Sequence, residues 1–296
     1  MKSISVIIVN YYSYKYLNRL LNEIYNKKGL EFLIINNGDV ANFSRIKISF
    51  PDVIILENKN NLGFSKACNI GAKIAKGNIL LFLNPDSLIT YSDIIKMKNF
   101  LLNNRNIGVV GPKIYFPDGT LQESAFRFDN FLTVTFNITH IDKLFPVRVL
   151  HPKGIQPLYP HWITGACLMI KKDLFLKVGG FDEDYFMFSE DEDLCLKVKK
   201  AGYKVALIPD AKMIHYREKS RQNNLNKMEL EFYKSMIIFF KKNKSRIEYL
   251  SVKTSYLLES IIKLPILLIS NINGVRKYIK VNRYKELILS ILRREL

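Results

Sequence analysis

Cysteine is scarce. The 296 residues hold three, Cys68, Cys167 and Cys195, an odd number with no close pair. That argues against a disulfide framework and against a cysteine-rich zinc site, and a reducing cytoplasm is the expected setting. Long hydrophobic runs are also missing: the stretch 264–269, interrupted by Pro265, falls well short of the ~18 residues a membrane-spanning helix needs. The apolar segment 3–9 is too brief for a secretory signal and runs into polar Asn10 without a small-residue cleavage site, so it is expected to be a first buried strand. No G-x-G-x-x-G follows it and no G-x-x-x-x-G-K-S/T occurs anywhere, which removes the main support for dinucleotide and P-loop sites. Acidic residues are in deficit, 27 against 45 Lys and Arg, for a net charge of +18.

What the chain does have is apolar material, 48% hydrophobic and 12% aromatic, enough for a sizeable core in one large domain or two small ones. Strand and helix signals alternate. The β-branched run 4–9 fits a strand covered on both faces; Leu17, Leu20, Leu21 and Ile24 then recur at helical spacing, with Gly29 expected to close the helix. Strands are predicted over 31–35, 53–56 and 79–83, and a helix over 65–75. This alternation predicts an α/β fold, a Rossmann-like sheet with helices on both faces, whose ligands sit beyond the carboxyl ends of the strands.

The residues leaving those ends are polar: Asn10-Tyr11 after the first strand, Asn36-Asn37-Gly38-Asp39 after the second, Asn84-Pro85-Asp86 after the fourth. Asn suits turns, but Asn36 and Asn37 also carry amide donors and acceptors that can read a nucleobase edge. Further on, Pro117-Asp118-Gly119 predicts a hairpin between 113–116 and Leu121, and 125–160 lacks a clear period and reads as a variable insertion. The segment 161–170 returns to strand character, with the small-residue step Gly165-Ala166 admitting close approach to the backbone.

Ser189-Glu190-Asp191-Glu192-Asp193 has capping-box spacing and opens a helix running to about Lys200. A wheel at about 100° per residue puts Glu190 and Asp191 on the inward face of Leu194 and Val198 and turns Glu192 nearly opposite. Inward carboxylates are costly unless partnered or used, so Asp191 is a candidate base or ligand. His215 closes a later strand. An Asp at one strand end and a His at another suit a hard divalent cation shared with a diphosphate, the imidazole favouring Mn²⁺ over Mg²⁺.

Six segments, taken in order, resemble family 2 glycosyltransferases of the GT-A fold, most closely their bacterial rhamnosyltransferase branch. They are Val6-Ile7-Ile8-Val9-Asn10-Tyr11, Asn61-Leu62-Gly63-Phe64, Leu83-Asn84-Pro85-Asp86-Ser87, Trp162-Ile163-Thr164-Gly165-Ala166-Cys167, Gly179-Gly180-Phe181-Asp182-Glu183 and Glu190-Asp191-Glu192-Asp193-Leu194-Cys195. The resemblance spans about 3–216 and implies a nucleotide-diphosphate sugar donor and inversion at the anomeric carbon. It makes Asp86 the last position of a D-x-D-like metal motif, Asp191 the general base and His215 a metal ligand, and it places Asn10, Tyr11, Asn36 and Asn37 at the nucleobase and ribose. The first D-x-D acid is Asn84 here, and the acid often found after the second strand is Asn36. Gly63, Asn69 and Asn84 complete the candidate donor set, and Trp162, Thr164, Gly165 and Glu190 the candidate substrate set.

The expected organisation is a GT-A catalytic domain over 1–216 and a basic, mainly helical region over 217–296, where 18 Lys and Arg meet 7 Glu. The expected donor is dTDP-rhamnose, with a UDP-sugar the alternative, and the expected acceptor a lipid-linked saccharide of a surface polysaccharide. Apolar residues beside basic clusters, Phe239-Phe240 before Lys241 and Ile261 to Leu268 before Arg276, suggest peripheral docking on the inner face of the bacterial cell membrane. The alternative is that the same apolar residues pack back on the catalytic domain or against a second subunit, as in a homodimer. A nucleic-acid binder and a non-catalytic sugar-binding protein are the readings of other classes; nucleic acid is not an expected partner.

Overall fold

The computed structural model describes residues 3–38, 43–144, 146–152, 154–217, 225–269 and 275–293; Asp39 lies outside them. Strand β1 (Ile4–Asn10) alternates between two covered faces. Ile4, Val6 and Ile8 join the main core with Leu17, Leu20, Leu21 and Ile24 of α1 (Tyr14–Ile24). That helix ends at Ile24, before Gly29: Tyr25 turns extended, and Gly29, at φ +83°, instead shapes the turn into β2 (Leu30–Asn36), its carbonyl accepting the Ser3 and Ile4 N–H groups. After α2 (Phe43–Ser49) and β3 (Ile54–Glu57) comes α3 (Phe64–Ile74), which lies close on the opposite face of the sheet. A Cβ at Gly71 would stand 2.6 Å from Ile7 Cγ2, so only glycine lets this helix approach.

The sheet continues through β4 (Ile79–Leu83), β5 (Ser87–Ile89), α4 (Tyr91–Asn103) and β6 (Ile107–Tyr115). The 125–160 region, read as a variable insertion without a clear period, contains β7 (Ala125–Phe126), α5 (Phe131–Thr139) and a 3-10 turn at Ile141–Lys143. The helix escaped a periodicity reading because its residues are apolar or β-branched on every side; it is fixed by a reciprocal cap between Asn130 and Thr133. Then follow β8 (Trp162–Ile163), β9 (Cys167–Lys171), α6 (Lys172–Lys177), α7 (Glu190–Lys200) and β10 (Lys204–His215), a single strand whose pairing slips between Ile208 and Lys212.

Eight strands form one sheet in the order β3-β2-β1-β4-β9-β6-β10-β5, with β9 and β5 antiparallel to their neighbours, and β7 pairs with β8 alone. Parallel pairing of β1 with β2 and β4 brings Asn10, Asn36 and the chain after Leu83 to the same edge. At the other end Glu31 is buried, its carboxylate accepting Ser5 Oγ and, at 2.7 Å, the Lys76 N–H. All three cysteines are free and buried.

The chain divides into two compact units. The first comprises 1–127, 149–183 and 190–220; the second comprises 128–148, 184–189 and 221–296, so it gathers α5 as well as the C-terminal helices. Those helices are α8 (Leu225–Asn243), α9 (Arg246–Ile269) and α10 (Val275–Leu292). Glu259 of α9, buried, accepts Tyr233 Oη at 3.2 Å, Tyr284 Oη at 3.4 Å and Lys263 Nζ at 2.7 Å, which ties the three helices together. Phe239 and Phe240 are fully buried, contrary to the expectation that they face a lipid surface. Among the described residues no helix is long and apolar enough to cross a membrane.

Candidate active site

At the strand-end edge the asparagines hold one another. Asn10 Nδ2 donates to Asn36 Oδ1 at 2.9 Å, the Asn37 N–H donates to the Asn10 carbonyl, and the Gly38 N–H returns to Asn36 Oδ1. Asn37 Nδ2 reaches the Gly63 carbonyl at 3.0 Å and its Oδ1 accepts Asn58 Nδ2 at 2.8 Å. Gly63, at φ +82° and ψ 174°, adopts a backbone only glycine takes readily and opens α3. Asn36 is fully buried and Tyr11 half-buried.

Asn84, Asp86 and His215 come together. The antiparallel pairing of β5 with β10 sets Ser87 opposite His215, and the Tyr216 N–H donates to the Asp86 carbonyl. His215 Nε2 then lies 3.3 Å from Asp86 Oδ1 and 3.4 Å from Asn84 Nδ2. Its other ring nitrogen, Nδ1, lies 3.2 Å from Oε1 of buried Gln122, a residue no sequence motif marked. Among the described residues there is no group of three or more His, Cys, Asp and Glu side chains able to hold a metal alone. Two protein ligands still fit a hard cation that draws its remaining ligands from water and phosphate, and neighbouring positions on an octahedral ion with ~2.1 Å bonds stand about 3.0 Å apart.

Asp191 is fixed through both oxygens by backbone donors. The Gly165 N–H reaches Oδ2 at 2.8 Å and the Glu192 N–H reaches Oδ1 at 2.9 Å. A Cβ at Gly165 would come 3.4 Å from Asp191 Cβ, so what approaches the small-residue step is this side chain. The Glu192 N–H, which a capping box would hand to Ser189, is thus taken by Asp191, and Ser189 lies in the left-handed region at φ +61°. Glu192, expected to face outward, is 1% exposed, and Asp193 is buried with Lys197 at 2.8 Å. The wheel describes a helix lying on a surface, whereas in this first turn Glu190, Glu192 and Asp193 are all buried and Asp191 is half-buried. Glu190 is buried as well; burial first, and the Asp191 charge second, push its carboxyl well above the usual range, which favours its protonated form.

One hydrogen bond links these groups. The Asn84 N–H donates to the Ala166 carbonyl, so the residue beside Gly165 anchors the turn that carries Asp86. Thr164, half-buried, is held by its N–H on the Ser124 carbonyl. Two candidates go elsewhere. Trp162 stacks on Phe126 at 4.4 Å and donates Nε1 to the Arg127 carbonyl, and Asn69 bonds the Phe181 backbone through both amide atoms and reaches Glu183.

The fold is that of the GT-A glycosyltransferases. A mannosyltransferase from Pyrobaculum calidifontis, solved with GDP-Man and Mn²⁺, superposes with a TM-score of 0.58 over 99% of this chain and 88% of its own at 14% identity. GalNAc-T7, solved with UDP, GalNAc and Mn²⁺, gives 0.58 over 80% of this chain and 50% of its own at 15% identity. The family model for glycosyl transferase family 2 matches residues 5–173, more than half of the chain, and the protein belongs to that family: it is a glycosyltransferase. A second model, described as the N-terminal domain of galactosyltransferase, matches 148–219.

Similar curated proteins include the N-acetylglucosaminyl-diphospho-decaprenol L-rhamnosyltransferase of Mycobacterium tuberculosis, 24% identical over 79% of this chain and 82% of that protein. The dTDP-rhamnosyl transferase RfbF of Shigella flexneri is 26% identical over 72% and 69%. An uncharacterized Sinorhizobium fredii protein, y4gI, is 28% identical over 64% of this chain, which spans only 22% of its length.

Proposed function

We propose that this glycosyltransferase takes rhamnose from dTDP-rhamnose and delivers it, with inversion, to a lipid-linked saccharide. The observation that carries the chemistry is Asp191, an acid held by two backbone N–H groups next to the loop that bears Asp86. Asp191 accepts the proton of the acceptor hydroxyl as that oxygen attacks the anomeric carbon; the carbon–oxygen bond to the nucleoside diphosphate breaks on the opposite face. Both carboxylate oxygens are oriented in advance, so the base loses little freedom on reaching the transition state. Asp86 and His215 would hold a divalent cation, Mn²⁺ before Mg²⁺, which when bound neutralises charge on the departing diphosphate.

At the nucleotide end Asn10, Asn36 and Asn37 set the shape of the edge through bonds to one another, leaving Tyr11 to meet the base. The names of the relatives at 24% and 26% identity support the choice of sugar and of a lipid-linked acceptor. For location, the second unit supplies a surface: Leu258, Ile261, Ile262, Ile266, Leu268 and Ile269 of α9 are each at least half exposed. On a chain of net charge +18 this face suits the anionic cytoplasmic leaflet.

Thermal-shift measurement tests the donor. dTDP-rhamnose with Mn²⁺ should raise the melting temperature by mass action, more than UDP-sugars do, and Asp86→Ala or His215→Ala should remove only the Mn²⁺-dependent part. A larger shift with a UDP-sugar would reassign the donor, and no shift with any nucleotide sugar would refute the reading.

A further inference from the structure

We infer that Gln122 is a positioning residue that holds the His215 imidazole in its Nδ1–H tautomer, so that the Nε2 lone pair stands beside Asp86. The inference rests on the cation reading of Asp86 and His215 and adds a residue to it.

The hairpin after β6 builds the arrangement. Asp118 accepts the Thr120 N–H at 2.9 Å and the Thr120 hydroxyl at 2.6 Å, and the Phe116 N–H donates to the Thr120 carbonyl at 2.8 Å. Tyr115 then bridges Leu121, and the Gln122 N–H donates to the Ile114 carbonyl at 2.9 Å. Since Ile214 pairs with Tyr115 in the β6–β10 ladder, this register delivers Gln122 to the imidazole of the next residue, His215. Both side chains are buried, 5% and 6% exposed, which removes the water that would otherwise serve Nδ1.

The contacts select a tautomer. Gln122 Oε1 is a carbonyl oxygen and only accepts, so Nδ1, at 3.2 Å, must carry the hydrogen. Asn84 Nδ2 only donates, and at 3.4 Å it faces Nε2, consistent with a lone pair there. A lone pair and a carboxylate oxygen 3.3 Å apart repel unless a cation joins them or a proton sits between them. Histidines that ligate metals generally hand their other N–H to an oxygen in this way, and removing that partner costs about 10–100-fold in metal affinity. Asn84, standing where the motif's first acid usually stands, leaves fewer charged ligands, so the orientation of the imidazole carries more of the site's quality.

Two readouts test this on the full chain without any sugar donor, so failure here is separable from failure of the donor assignment. Long-range ¹H–¹⁵N spectra report the His215 tautomer, and electron paramagnetic resonance follows titration with Mn²⁺ alone. The wild type should show Nδ1–H. Gln122→Leu should lose that preference and bind Mn²⁺ about 10–100-fold more weakly. Gln122→Glu, which keeps an accepting oxygen, should retain the tautomer and bind Mn²⁺ within a few-fold of the wild type or more tightly. An Nε2–H tautomer in the wild type would overturn the proposal even if the leucine variant does not fold. Equal weakening in the leucine and glutamate variants would overturn it too, since Gln122 would then serve packing alone.

Discussion

Two acids of the sheet unit and three of the helical unit are held in different ways. In the sheet unit, Asp191 is held by the backbone N–H groups of Gly165 and Glu192, and Glu31 by the Lys76 N–H together with the Ser5 hydroxyl. In the helical unit the partners are side chains: Glu259 takes Tyr233, Tyr284 and Lys263, Asp129 takes Arg148 at 2.9 Å, and Glu229 takes Arg283. The sheet unit also has pairs of the second kind, Asp193 with Lys197 at 2.8 Å and Asp93 with Lys96 at 3.1 Å. A backbone donor fixes a carboxylate without placing a countercharge against it, so the anion stays able to accept a proton. A cationic partner neutralises it. The first arrangement suits a base, the second suits a joint between helices.

The largest effect is expected at Asp191. Asp191→Asn keeps the shape and an accepting oxygen but cannot take a proton, so transfer should fall by about 10²–10⁴-fold while nucleotide binding stays within a few-fold. Steady-state rates and nucleotide titration read the two separately, and a matching loss of affinity would make Asp191 a binding residue. Glu259→Leu should do the reverse. It strands two tyrosine hydroxyls and should cost about 1–3 kcal/mol in urea unfolding with nucleotide affinity unchanged.

Glu190→Gln sharpens the contrast inside the first turn of α7. A carboxyl whose folded value is raised stabilises the fold below its ordinary range, and that contribution is lost as pH climbs through the raised value. The glutamine variant, resembling the protonated acid, should therefore flatten the fall in melting temperature from about pH 5 upward; an unchanged pH profile would show that Glu190 does not hold its proton. The smallest effect on the folded protein is expected from Ile262→Glu with Ile266→Glu, both exposed on α9. Stability should change by less than ~0.5 kcal/mol per site. Co-sedimentation with anionic vesicles should drop, and binding that is unaffected would remove the membrane proposal while leaving the transferase intact.

Much of the sheet unit was legible because its signals are local. Continuous β-branched runs bounded by polar residues favour strands covered on both faces, and the polar residues that end them fall on one edge once the strands are parallel. His215 and Asp86 met as expected. Gln122 was not legible: its place beside His215 depends on the β6–β10 register and a hairpin that no spacing rule connects to a histidine 93 positions later. Glu192 was misjudged because a wheel assumes one solvent face, and α5 because its cap, Asn130 with Thr133, lies outside the usual Ser/Thr-to-Glu pattern. Phe239 and Phe240 read as an interfacial pair because a basic neighbourhood beside apolar residues does not reveal that they are buried.

Single displacement with Asp191 as base inverts the transferred anomeric carbon. Nuclear magnetic resonance of the product formed from dTDP-rhamnose and a lipid-linked saccharide reads it directly through the configuration at the transferred anomeric carbon. The configuration should be opposite to that of the donor, with one nucleoside diphosphate released per linkage. Retention of the donor's configuration, or transfer undiminished in Asp191→Asn, would contradict it.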